Sequence, residues 1–184
     1  MLAVKSHSYT YQKSGMAKLL AVICLVCGVI GNPGSAGSIT MGGKDQYEYY
    51  TIYVSGPIEE GDGTKFYELA ELAPSANVFL DSPGGLVGEG LSIAAETAIR
   101  GYNTWVVDNA QCASMCAIVW MAGTHRFMGE DTVIKVHAAY EAGAFEGGAS
   151  SRVSGSANAN IGAFLNEVGT PLKTISYFTF HKRD

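Results

Sequence analysis

Between Tyr47 and Tyr177, short runs of β-branched and aromatic residues alternate with longer stretches of helical period. Tyr47–Val54 (YEYYTIYV) predicts a strand. Asp62–Leu72 follows a Gly-Asp-Gly start and carries Phe66, Leu69 and Leu72 at helical spacing, with Pro74 closing it. Asn77–Leu80 (NVFL) predicts a buried strand, and Ser82-Pro83-Gly84-Gly85 a turn. Leu86–Arg100 predicts a helix with Leu86, Leu91, Ala94, Ala95, Ala98 and Ile99 inward, stopped by Gly101. The pattern then repeats: strand Thr104–Val107, helix Ala113–Ala122, strand Thr132–His137. Residues 141–156, rich in Gly, Ser and Ala, predict a mobile loop. Helices follow at Ala157–Val168, with Ile161, Phe164, Leu165 and Val168 inward, and at Pro171–Tyr177. Strands separated by helices pair in parallel, so the chain is read as α/β with a mainly parallel sheet and no internal repeat.

A chain of 184 residues carries one sizeable core, not two. Its 47% apolar and 16% charged residues exclude disorder over most of the length. The net charge of −5 argues against nucleic acid as a partner, because phosphate neutralisation needs clustered Lys and Arg.

The first 36 residues stand apart. They hold Lys5, Lys13 and Lys18 and no acid. Leu19–Ile30 is then uncharged and apolar or small, followed by Gly31, Asn32, Pro33 and the small triplet Gly34-Ser35-Ala36. That order is the layout of a secretory signal, with either Met1 or Met16 as its start. A membrane-spanning helix needs about 20 apolar residues, more than this run offers, so an uncleaved anchor is the second reading. The expectation is a signal peptide over 1–36, a single domain over 37–184, and a periplasmic or secreted product. A membrane contact arises only if the leader stays attached and holds the domain outside.

Removing that leader leaves 9 basic against 17 acidic residues, a net of −8, and two cysteines, Cys112 and Cys116. An even count in an exported chain permits a disulfide. Four apart, the pair is either bridged through a local, strained geometry or left as small buried thiols. His125 and His137 have no tight ligand cluster beside them, so no metal site is expected.

Three features at strand ends carry chemistry, as sites in open α/β sheets do. Asp81-Ser82-Pro83-Gly84-Gly85 joins a strand to a helix, and its glycines free backbone N–H groups to face an oxyanion. Cys112-Ala113-Ser114-Met115-Cys116 opens an apolar helix. A serine there can present its hydroxyl to a cleft beside the N–H of Met115. His137 ends its strand just before the loop, where a general base can sit. Alone, each has an ordinary reading: a tight turn, a helix cap, a structural histidine. Their order and spacing change that reading, with Ser114 thirty residues after Gly84 and His137 twenty-three after Ser114.

Together, FLDSPGGLVGEGLSI, CASMCAIVWMAGTHR and VIKVHA resemble the Clp protease proteolytic subunit. They are also similar to the related signal-peptide-peptidase and exported Clp-like serine proteases of the crotonase-type fold. The resemblance covers roughly Tyr50–Tyr177. It implies a spiral of β-β-α units and a serine peptidase acting on peptides or proteins. Ser114 matches the nucleophile and His137 the base. The N–H groups of Gly84, or Gly85, and of Met115 match the oxyanion hole. The resemblance also implies self-association into a homo-oligomer and needs no cofactor.

A catalytic triad needs a third group to hold the histidine tautomer. The family places an Asp after the helix that here begins near Pro171, and Asp184 falls about two residues from that place. Glu141 and Glu146, in the loop, are weaker candidates. A Ser-Lys pair would turn to Lys135, which shares the strand face of His137. Without an acid, the chain would be a weakly active or inactive binding and assembly module. An acyl-CoA enzyme on the same scaffold has no use for Ser114 and His137 in this order. GGLVGEG does not form a dinucleotide fingerprint.

Overall fold

A computed structural model describes residues 37–141 and 152–180. The predicted leader over 1–36, Glu146 and Asp184 lie outside the described residues.

The main sheet has five strands in the order β1-β2-β3-β4-β6. β1 (Ser38–Lys44) runs antiparallel to β2 (Tyr50–Ser55), with an irregularity between Met41 and Lys44 where two glycines interrupt the strand. β2 pairs in parallel with β3 (Ala76–Asp81), and β3 in parallel with β4 (Asn103–Val106). Helix α1 (Asp62–Glu71) crosses between β2 and β3, and α2 (Val87–Ile99) between β3 and β4. β5 (Cys112–Ala113) leads into α3 (Met115–Met121), and β6 (Arg126–Met128) completes the parallel set beside β4. β7 (Ile134–Lys135) joins β5 in a second, two-stranded parallel sheet. α4 (Gly155–Glu167) and α5 (Leu172–Phe180) follow.

Each of the four parallel strands, β2, β3, β4 and β6, is followed by a short second pairing before the next helix. Ile58 after β2 bridges Gly85 after β3, and Ser82 after β3 bridges Cys112 in β5. β5 follows β4 in the chain and β7 follows β6. This is a winding series of β-β-α units with a mostly parallel sheet, the predicted fold class.

The alternate residues Ile52, Val54, Val78, Leu80 and Val106 are buried beneath the helices. Phe66 and Ala70 of α1, Ile93 and Ala94 of α2, and Met115–Val119 of α3 meet them. α3 is buried along most of its length, so it reads as an apolar run rather than an amphipathic stripe. The helix faces differ from expectation in places. Leu86 and Ile99 are exposed, because Gly90, Ile93, Ala94 and Thr97 form the inward side of α2. Leu72 lies beyond the last full turn of α1 and is also exposed. Among the described residues no helix is long and apolar enough to cross a membrane.

Candidate active site

The glycine turn is set by two neighbouring segments. The Ile58 N–H donates to the Gly84 carbonyl, and the Leu86 N–H to the Ile58 carbonyl, both at 2.9 Å. Gly85 lies between those two bonds, so its own N–H points to the opposite side of the chain. A Cβ on Gly85 would meet the Ile58 carbonyl oxygen at 2.0 Å, so only glycine fits there. Gly84 is buried with φ +90, and a Cβ on it would come within 2.6 Å of the Ala113 carbonyl oxygen and 2.8 Å of the Met115 nitrogen. The two turns are thus in backbone contact.

The structure distinguishes the two glycine donors expected here. The fully buried Ser82 hydroxyl accepts the Gly84 N–H at 3.0 Å. Gly84 is therefore engaged, and among the described residues no acceptor meets the N–H of Gly85, whose residue is exposed. Ser82, in the predicted turn, fixes this arrangement. Its place before Pro-Gly-Gly is the signal that it could bond to its own turn.

Ser114 occupies the corner between β5 and α3 with φ 55 and ψ −122. A non-glycine residue at positive φ is uncommon, and such corners persist where surroundings hold them. The Ser114 N–H donates to the Lys135 carbonyl at 2.9 Å, and the Ala113 N–H to the Ser82 carbonyl at 3.0 Å. Backbone bonds to both neighbouring strands thus hold the corner. Met115 takes the first position of α3, where the N–H has no intrahelical partner. A disulfide joins Cys112 to Cys116, with Cα atoms 5.2 Å apart, and both residues are buried.

His137 lies two residues beyond β7, because the predicted strand Thr132–His137 is paired only at Ile134 and Lys135. Its Nδ1 is 2.8 Å from the Ala138 carbonyl oxygen. A carbonyl only accepts, so that bond places the imidazole proton on Nδ1 and the lone pair on Nε2. The following segment is anchored by Asn158 of α4, which sequence reasoning missed. Its Oδ1 accepts the Ala139 N–H and its Nδ2 donates to the Ala139 carbonyl, each at 2.9 Å.

Gly84, Gly85, Ser114, Met115 and His137 line one cavity of about 330 Å³. Its apolar wall comes from Val87, Ile118, Ile161 and Phe178. Among the described residues no hydrogen bond joins Ser114 to His137, and no carboxylate bonds the imidazole. Glu141 also lines the cavity, but its carboxylate faces Arg152 at 3.7 Å. Lys135 is exposed and absent from the lining, so it offers its carbonyl, not its amine, to the Ser114 corner. His125 is bonded to Asn103 at 3.0 Å, apart from the cavity. Among the described residues no group of three or more His, Cys, Asp or Glu is placed to hold a metal ion.

The arrangement offers a hydroxyl, an imidazole and two peptide N–H groups without an acceptor among the described residues, around a half-apolar hollow. Those are the parts that acyl transfer requires.

No family model matches the chain, and no curated protein matches it. Among solved structures it is similar to the 1510-N membrane-bound stomatin-specific protease in a serine-to-alanine mutant. The identity is 14%, the TM-score 0.56, and the match covers 69% of this chain and 67% of that one. It is similar also to a lysine-to-alanine mutant of that protease in complex with a substrate peptide, at 15% identity and TM-score 0.56, over 69% of this chain and 63% of the other. The likeness establishes a shared protease-like fold and spans about two thirds of the neighbours' own length.

Proposed function

We propose that the chain is an exported serine-type peptidase. Ser114 Oγ attacks the carbonyl carbon of a peptide bond while His137 Nε2 takes its proton. The carbonyl oxygen, now negative, lies between the N–H groups of Gly85 and Met115. Losing one such donor typically costs about 2.7–4 kcal/mol of transition-state stabilisation. The C–N bond then breaks, and His137 returns the proton to the departing amine. Water adds to the acyl-serine, giving its proton to His137, and the acid leaves as Ser114 recovers its hydrogen. The apolar wall suits an apolar side chain next to the cleaved bond.

One observation carries this reading: Ser114 stands at a positive-φ corner, against Gly84, on the cavity that His137 also lines. Export is supported by the leader-like first 36 residues and by the disulfide, since such bonds persist in oxidising compartments. The domain is then periplasmic or secreted, or anchored outside if the leader is retained. For the orienting acid, Asp184 is the proposal. It follows Phe180 by four residues, a reach of up to about 14 Å, and Phe178 of the same helix lines the cavity. Assembly with further copies is proposed on the family resemblance alone.

The test is labelling of the folded protein by a fluorophosphonate. Ser114 Oγ should displace fluoride and give one adduct, absent in Ser114→Ala. His137→Ala should slow labelling by on the order of 10²–10⁴-fold. A folded wild-type protein that takes no label sinks the proposal. A second reading then applies, a peptide-binding module without turnover. It is favoured by the lack of a carboxylate on His137 among the described residues.

A further inference from the structure

We infer that the Cys112–Cys116 disulfide is a positioning clamp on the nucleophile corner, an inference that rests on the reading of Ser114 as nucleophile. The bridge leaves from β5 and lands on the second residue of α3. The ring it closes contains Ala113, Ser114 and Met115, which means both the attacking hydroxyl and one oxyanion donor.

A cross-link whose purpose is general stability gains most when it closes a long loop. This one closes four residues of separation, close to the smallest gain available. Its position fits a local task better. β5 is fixed to its surroundings by the Ser82–Cys112 bridge and by its pairing with β7. α3 is joined to β5 through Ser114 itself, whose backbone sits at φ 55, ψ −122. Relaxing that corner toward an ordinary conformation would swing the start of α3 relative to β5. The disulfide is a second covalent connection between the same two elements, and it blocks that swing. Relaxation would carry Oγ and the Met115 N–H out of mutual alignment, the kind of displacement to which acyl transfer is most sensitive.

Burial separates a clamp from a switch. Cys112 is 1% and Cys116 0% exposed, so a thiol reductant has no approach to either sulfur in the folded protein. The bond acts as a permanent part of the site.

The full chain is compared with the pair Cys112→Ala/Cys116→Ala, and with Cys112→Val/Cys116→Ala to restore lost volume. Circular dichroism and the thermal midpoint report the fold. Inactivation by a fluorophosphonate is resolved into KI and kinact, and amide exchange is followed across 111–118. Peptide mapping of the unreduced wild type should first recover the bridged pair; free thiols there overturn the inference. A folded variant should then show kinact lowered by roughly 10–100-fold with KI within about twofold. Exchange should quicken over 115–117 and stay unchanged elsewhere. Unchanged kinact in a folded variant, or failure of both pairs to fold, overturns the clamp. If wild type takes no label, the peptidase reading fails on its own. Exchange then decides the clamp: loosening confined to the corner supports it, and unchanged exchange overturns it.

Discussion

Two residues at positive φ, Gly84 and Ser114, shape the candidate site. Gly84 is needed for the space it leaves. A methyl there meets the Ala113 carbonyl oxygen at 2.6 Å and the Ser114 Cβ at 2.7 Å, and φ +90 penalises any L side chain. Neither neighbour is a flexible side-chain end, so the corner itself must move. Gly84→Ala should cost about 1–3 kcal/mol in stability, measured by denaturant unfolding. It should also lower fluorophosphonate labelling in the fraction that remains folded. A variant with wild-type labelling and stability would show that the two turns are not in contact. Ser114 is the converse case: it bears a side chain at a backbone angle better suited to glycine. Strained non-glycine residues cluster at functional sites, so this corner supports the proposed role of Ser114.

At the scale of elements, α4 matters through one side chain. Asn158 bonds both the N–H and the carbonyl of Ala139, and its Nδ2 also donates to the Ser154 carbonyl at 2.7 Å. It thereby ties α4 to the segment that carries His137. Both Asn158 and Ala139 are buried, so water does not replace lost bonds. Asn158→Ala should destabilise by about 1–3 kcal/mol, read from the shift in thermal midpoint. Labelling of Ser114 should slow as His137 loses its fixed backbone, and an unaltered rate would assign Asn158 to folding alone. The opposite face of the main sheet shows a different device. Parallel register aligns Tyr53, Phe79, Trp105 and Phe127 in one row, with neighbouring rings 5.7, 5.9 and 3.9 Å apart. That row fixes strand register, since a one-residue slip would send each ring to the other face.

For the whole molecule, the pH dependence of stability has a traceable contributor at the alkaline end. Tyr102 is 1% exposed and donates its hydroxyl to the carbonyls of Ala70 and Ala73 at the end of α1. Burial is the main cause that raises its phenol above the ordinary 10.0. The unfolded chain therefore loses this proton at lower pH than the folded one. The stability it contributes is fully present below pH 10.0 and is lost as pH rises toward the folded value. Tyr102→Phe should flatten the alkaline limb of a stability–pH curve, at a cost of about 1 kcal/mol at neutral pH. An alkaline limb identical to wild type would place the titrating group elsewhere. Next to Tyr102, Arg100 pairs with Glu96 at 2.8 Å and with Glu71, joining α2 to α1. Those bonds raise its pKa further, so it keeps its charge throughout that range.

The order of elements was legible because it is local. Apolar period and glycine or proline stops place α1, α2, α3 and α4 within a few residues of their observed ends, and β-branched runs place β2, β3 and β4. Motif order singles out Ser114 and His137, and the two residues line one cavity. What escaped depends on partners far along the chain. β1 is diluted by Gly42 and Gly43 and exists because β2 pairs with it. β6 has three residues and is a strand only beside β4. Thr132–His137 reads as a full strand, yet only two of its residues find a partner in β5. Which glycine offers its N–H was decided by Ile58 and by the Ser82 hydroxyl, through bonds that no local pattern encodes. Asn158 reached its task only when α4 folded back on Ala139. Local sequence sets backbone preference and the inward face of each element. Tertiary structure decides which polar groups are satisfied and which stay open to react, because hydrogen bonds are completed by whatever the fold brings near.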